Sequence, residues 1–269
     1  MKGKPTDPLH LTRLSPVTIE PFYKDNLSNA NTPPELNEDE IGLIKRGIDL
    51  PIMLLRCKDK PGAVWTLRLP EFNFLGSKEA EGYQVKYHWK QQGPNAYYYD
   101  WHPITGPMQG RVNARVWVDQ DGRVRFEIQQ INDSKETWEM PAVWVCLIHK
   151  YSGEGRSTYW SQKGPELTSS VPAPQELWLK WFSVKGKEKF VQACRQWRSK
   201  KIRSGLAVRP QLVWKPQEPD GFSVRIGSDQ AGLLGWSHWP CTDMGLTCDE
   251  AGPGETTKFT GTVEMGWEE

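Results

Sequence analysis

The chain has 269 residues, and its 34 basic and 33 acidic side chains leave a net charge of +1, so no overall field draws it to a phosphate backbone. Hydrophobic residues make up 37% and glycine adds 24 positions, a globular composition that argues against disorder. The length suits one large all-β domain or two modest ones, with room for a sizeable core.

The longest uninterrupted apolar run, Ala142–Ile148, is far short of the roughly 20 residues that span a bilayer, so no membrane partner is expected. Met1–Asp7 carries no apolar signal-type segment; a cytoplasmic location is expected, with a trimmed secretory signal as the open alternative. The cysteines Cys57, Cys146, Cys194, Cys241 and Cys248 are too scattered for a disulfide framework. Cys241 and Cys248 lie close in a loop-like stretch and could pair in an oxidising compartment, but reduced thiols are the favoured reading.

Residues 1–40 are rich in Pro, Asn, Thr and Asp and predict an extended arm with one short strand through Val17–Ile19. Residues 41–269 read as a single domain. Pro51–Arg56 and Ala63–Leu69, joined by a turn-rich connector, predict a hairpin. Glu81–Trp89 alternates as a strand, Gln91–Asn95 reads as a loop, and Tyr97–Trp101 begins the next strand. The clearest hairpin is Arg111–Asp119 with Arg123–Ile131. Val112, Ala114 and Val116 share one face, and Asp119-Gln120-Asp121-Gly122 closes the turn. Ala142–His149, apolar on both faces, predicts a central strand.

After a Gly/Ser/Pro stretch over 152–174, Glu176–Val184 predicts another strand. Lys187–Lys201 places Phe190, Val191, Cys194 and Trp197 at helical spacing and predicts one amphipathic helix, whose lysines and arginines make a solvated face. Strands return at Gln211–Lys215, Phe222–Ile226 and Leu233–Trp236, and a last one alternates through Phe259, Val263 and Met265. Together these predict an all-β, two-layer antiparallel β-sandwich with one short covering helix.

Two turn signatures carry a resemblance. Pro253-Gly254-Glu255 leads into the final strand, and Asp121-Gly122-Arg123 precedes Phe126-Glu127-Ile128 and Asn132-Asp133-Ser134. In these features the chain resembles galactose mutarotase-like sandwiches, a fold shared by sugar epimerases and several polysaccharide lyases. The resemblance implies a sugar ligand and, on a concave sheet, either a pair of histidines with a carboxylate or a histidine with a tyrosine. It carries no family catalytic residue over to a numbered position.

Fourteen tryptophans gather into two knots. One is Tyr87-His88-Trp89 followed by Tyr97-Tyr98-Tyr99-Asp100-Trp101-His102, with Trp89, Tyr97, Tyr99 and Trp101 as candidate ligand-binding rings; the other is Trp236-Ser237-His238-Trp239-Pro240-Cys241, with Trp236 and Trp239 as candidate rings and Asp243 close behind. Rings beside hydrogen-bonding groups suit a saccharide, whose CH face stacks on an aromatic surface while its hydroxyls meet polar side chains. The same rings could equally be core. His102 and His238 are candidate bases, with Asp243 as carboxylate partner to His238. A metal site could be drawn from His102, His238, Cys241 and Asp243, but no metal-ligand spacing supports it and none is expected. No Gly-x-Ser-x-Gly, Walker loop or dinucleotide fingerprint is present, so no cofactor is expected either. The expected function is a carbohydrate-recognising protein, an epimerase or lyase with a histidine base. The alternatives are a non-catalytic carbohydrate-binding module and an aromatic-rich structural subunit. Any sugar site of this kind requires the two knots to meet in one cleft.

Overall fold

A computed structural model describes residues 11–22, 42, 45, 50–75, 78–81, 88–104, 109–149, 155–161, 164–167, 178–181, 202–206, 211–216, 220–236 and 241–268. The strands begin with β1 (Arg13–Leu14), β2 (Val17–Pro21), β3 (Ile52–Cys57), β4 (Val64–Leu75), β5 (Lys78–Glu81) and β6 (Lys90–Gly93). They continue with β7 (Ala96–Ile104), β8 (Gly110–Val118), β9 (Val124–Asn132), β10 (Ala142–Ile148), β11 (Gly155–Ser161), β12 (Gly164–Leu167) and β13 (Trp178–Trp181). The last are β14 (Ile202–Leu206), β15 (Gln211–Pro216), β16 (Phe222–Gly227), β17 (Ala231–Trp236), β18 (Cys241–Thr247) and β19 (Thr256–Trp267).

Two sheets result. The first runs β12-β11-β15-β16-β19-β9-β8-β7-β6, with β1 attached to β19. The second runs β14-β13-β17-β18-β10-β4-β3-β2, with β5 attached to β4. Every pairing is antiparallel except that of β13 with β14. The sheets face each other with β15 over β17, β9 over β4, and β7 and β8 over β2. The chain is therefore an all-β two-layer sandwich, as alternation predicts. The predicted helix over 187–201 lies outside the described residues. Among the described residues no helix is long and apolar enough to cross a membrane.

Period-two alternation explains the core. Val112, Ala114 and Val116 of β8, Val124, Phe126 and Ile128 of β9, and Phe259, Val263 and Met265 of β19 point at the second sheet. They meet Met53, Leu55, Trp65, Leu67, Val143, Val145, Leu147, Met244 and Leu246. Each buried Val, Ile, Leu, Phe or Met among them stabilises the fold by about 1.5–3 kcal/mol relative to exposure. The hairpin closes as its turn chemistry requires: Gly122 takes a φ of +85°, and the Asp119 carboxylate accepts the amides of Asp121 and Arg123. β10 is buried along its whole length between β4 and β18, the central position its apolar run predicts. Of the arm expected over 1–40, residues 13–14 and 17–21 form strands on the two sheets.

Several local readings need correction. The expected loop at 91–95 is shorter, because Lys90–Gly93 pairs with β7 and only Pro94-Asn95 turns. The Gly/Ser/Pro stretch after residue 152 contains β11 and β12. The loop-like segment around Cys241 is strand β18, held in the sheet by β10 on one side and β17 on the other. Pairing on both edges overrides the weak strand propensity of Asp243 and Gly245. It also sets Cys241 and Cys248 at opposite ends of an extended segment, about 23 Å apart at 3.3 Å per residue, far beyond disulfide reach. Cys248 is a thiol whose Sγ lies 3.2 Å from the Lys258 carbonyl oxygen.

Gly266 marks a tight approach. A Cβ there would lie 2.1 Å from the Arg13 carbonyl oxygen, so β1 would have to lift from β19 and lose the backbone bonds at Thr12 and Ser15. Gly266→Ala is expected to destabilise the fold by about 1–3 kcal/mol in urea denaturation. A change under about 0.5 kcal/mol would contradict this contact.

Candidate functional site

The site begins with an irregularity in β7. Tyr97 pairs with Val116 and Tyr99 with Ala114, so both rings turn toward the second sheet. The register then slips. His102, not Trp101, comes opposite Val112, and Asp100 and Trp101 together stand against Asn113. An extra residue of this kind is a β-bulge, which bends the strand and re-aims a side chain. Here it turns Trp101 onto the outer face of the sheet and sends His102 to the side that Val112 occupies.

The outer face beside Trp101 forms a groove of about 340 Å³. Its walls come from Gln92, Tyr98, Asp100 and Trp101, and its floor from Asn113, Arg115, Glu127 and Gln129 of the β8–β9 hairpin. Glu127 organises that floor. One carboxylate oxygen accepts from Gln129 at 2.8 Å; the other accepts from Arg115 at 3.1 Å and faces Lys258. Burial opposes ionisation of Glu127, but the bonds and charges of Lys258 and Arg115 outweigh it and hold the carboxyl below its ordinary range. At the rim, Lys90 pairs with Asp100, and the Arg111 guanidinium lies 5.9 Å from the centre of the Trp101 ring. The arrangement can do two things chemically. A half-exposed indole offers a stacking face, and two amides, a guanidinium and carboxylates converge beside it as hydrogen-bonding groups.

Of the first knot, Trp101, Tyr98, Asp100 and Tyr99 line this groove, and Tyr99 does so with only 1% of its surface exposed. Trp89 and Tyr99, expected as ligand-facing rings, are 6% and 1% exposed and pack edge to face at 4.9 Å. The Tyr99 hydroxyl donates to the Leu69 carbonyl at 2.8 Å. They are core, because the parity of β7 places them on the buried face. Tyr97 is half-buried against the same core. His102 is half-buried 5.9 Å from the Tyr99 ring, and its imidazole is held below its ordinary range, by burial first and by His88 second.

Of the second knot, Trp236 and Asp243 are described, and both belong to the other sheet. Trp236 ends β17 opposite Thr242 and Trp178. Asp243 is 2% exposed, between Gly235 and Cys146. His238 and Trp239 lie outside the described residues. β7 packs over β2, and five strand spacings, about 24 Å of sheet, separate β2 from β17. The cleft expected between the knots is therefore not what the sheet order builds: the two elements stand on different sheets toward opposite ends.

Tyr98 and Asp100 stand in the first knot without having been singled out as site residues, and the groove residues that sequence reasoning missed are Asn113, Arg115, Glu127 and Gln129. The polar positions of the 111–131 hairpin were the available signal, since alternation already assigned them to the face opposite the core.

No family model matches the chain, and no curated protein matches it. Among solved structures it is similar to an aldose 1-epimerase candidate from Escherichia coli K12, at 9% identity and a TM-score of 0.43, over 81% of this chain and 96% of that one. It is also similar to an aldose epimerase homologue from C. elegans, at 8% identity and a TM-score of 0.38, over 74% of this chain and 79% of that one. A kojibiose phosphorylase candidate from the human microbiome matches at 8% identity and a TM-score of 0.35, over 76% of this chain and 23% of that one.

Proposed function

We propose that this chain binds carbohydrate in the outer-face groove of the first sheet, a site built around Trp101 and the β8–β9 hairpin in place of the shared two-knot cleft expected from sequence. The observation that carries the reading is the bulge at Asp100–Trp101, which sets a half-exposed indole beside Asn113, Gln129, Arg115 and a tethered Glu127. A saccharide ring would lay its CH face on Trp101 and direct its hydroxyls to the amides and the carboxylates. The groove volume of about 340 Å³ suits a small ligand of one or two rings.

The finer chemistry expected from sequence, an epimerase or lyase with a histidine base, needs an imidazole at the bound sugar. His102 shares the side of Val112 and not that of Trp101, so the proposal is one of recognition. The rate at which the α and β anomeric NMR signals of any bound sugar interconvert would read turnover separately.

Titration of tryptophan fluorescence with a panel of mono- and disaccharides tests the reading. Trp101→Ala is expected to weaken binding at least tenfold, about 1.4 kcal/mol, while Tyr97→Phe, altered on the inner face, leaves it unchanged. Equal affinity in wild type and Trp101→Ala, or no binding by wild type to any sugar of the panel, would overturn it.

A further inference from the structure

A second cluster of reactive side chains stands on the other sheet. Cys146 of β10 is flanked in register by Asp243 of β18 and Arg68 of β4. Between the pairs Trp144↔Phe72 and Cys146↔Arg68 the register of β4 slips, so that Leu69, Pro70 and Glu71 together oppose Val145. That slip brings Glu71 alongside Cys146 and Asp243. The Cys146 sulfur and one carboxylate oxygen from each of Glu71 and Asp243 all lie within 4.8 Å of one another. The cluster is enclosed: Asp243 is 2% exposed, Cys146 3%, and the Glu71 side chain 14%. It faces away from the inter-sheet core, since Val143, Val145 and Leu147 point inward and Cys146 groups with Ile148 on the opposite face of β10.

We propose that Glu71, Cys146 and Asp243 form a binding site for a divalent transition metal of the zinc type. Three different strands supply one donor each, so the ladder itself fixes their spacing. A tetrahedral zinc with sulfur at about 2.3 Å and oxygen at about 2.0–2.2 Å sets its ligands about 3.5 Å apart, within small side-chain rotations of the observed separation. The thiol selects zinc or a similar borderline-soft ion over calcium and magnesium, which take oxygen ligands. Charge supports the same choice. Two carboxylates and a thiolate offer a divalent ion the opposite charge within an enclosed site, with Arg68 4.0 Å from Glu71 at its edge. On binding, the Cys146 proton leaves to solvent and no other bond changes. The site ties β4, β10 and β18 together on the second sheet and is independent of the carbohydrate reading.

Metal content and cobalt spectroscopy test it. The full chain, expressed with added zinc, is expected to hold about one metal per molecule by mass spectrometry. Cobalt(II) introduced by refolding is expected to show a thiolate-to-metal charge-transfer band. Cys146→Ser and Asp243→Asn should each reduce bound metal at least tenfold, and Cys146→Ser should remove the band. Wild type that takes up neither zinc nor cobalt, or Cys146→Ser that keeps the wild-type metal content, would overturn the proposal. The wild-type cobalt spectrum decides the matter even where a variant does not fold.

Discussion

Glu264→Ala is expected to cost the fold about 3–5 kcal/mol, the range for stranding one member of a buried ion pair. The Glu264 side chain is 2% exposed. Its Oε1 accepts from Arg123 Nε at 2.8 Å and lies 2.7 Å from an Arg225 guanidinium nitrogen. Arg225 is itself only 9% exposed; burial pulls its pKa down and Glu264 pulls it back up. Removing the carboxylate leaves two guanidinium groups facing each other across β16, β19 and the 119–122 turn. Arg123 keeps its pairing with Asp121, so the penalty falls mainly on the buried Arg225 guanidinium, which loses the charge opposite it in register. Replacing the pair together, Arg225→Met with Glu264→Leu, should recover most of the loss, because an apolar pair of similar volume needs no counter-ion. Urea denaturation of the single and double variants checks both halves. A double variant as unstable as Glu264→Ala would mean that packing, not charge, sets the cost.

The second large effect is on stability against pH. His149 follows β10 and is fully enclosed: its ring stacks on Trp214 with centroids 5.1 Å apart, and Nε2 lies 3.0 Å from the Thr242 hydroxyl. Burial pushes its pKa down to about 3 from 6.5. The unfolded chain therefore takes up a proton that the folded chain refuses. The stability this represents is complete above pH 6.5, falls as pH drops below 6.5, and is exhausted near pH 3. The slope is about 1.4 kcal/mol per pH unit. Carboxylates held low in the folded state, among them Asp119, Glu127 and Asp133, add their losses only below about pH 4.5. Between pH 6.5 and 4.5 the slope belongs to histidines, with His102, also held low, titrating in the same window. His149→Phe keeps a ring against Trp214 and is expected to flatten most of that slope. Denaturation midpoints at several pH values between 7.5 and 4.8 read it directly. An unchanged slope in His149→Phe would refute the assignment.

Much of the architecture was legible before any coordinates. The 111–131 hairpin announced itself through strict alternation and a turn closed by Asp121-Gly122, and β10 through an apolar run too short for a helix. β18 was not legible, because Asp243 and Gly245 carry no strand preference and are held extended by partners on both sides. β11 and β12 hid in a turn-rich composition for the same reason.

For the site, the aromatic knot at 97–102 pointed to the right strand but to a mixture of right and wrong side chains. Strict alternation from Tyr97 and Tyr99 would place Trp101 in the core and His102 outside. The bulge against Asn113 exchanges the two, and that exchange makes the groove.

Sequence by itself determined that this chain is a two-sheet β protein, where its main hairpins turn, and which residues of each regular strand are apolar. These properties follow from local alternation and turn chemistry, which each segment carries alone. Tertiary structure alone decided the order of strands in each sheet, and therefore that β7, with Trp101, and β17, with Trp236, stand on different sheets. It also decided the register slips that turn Trp101 outward and bring Glu71 beside Cys146 and Asp243. A slip of one residue changes the face of every side chain beyond it, and it is set by the partner strand, so the bulged segment does not reveal it on its own.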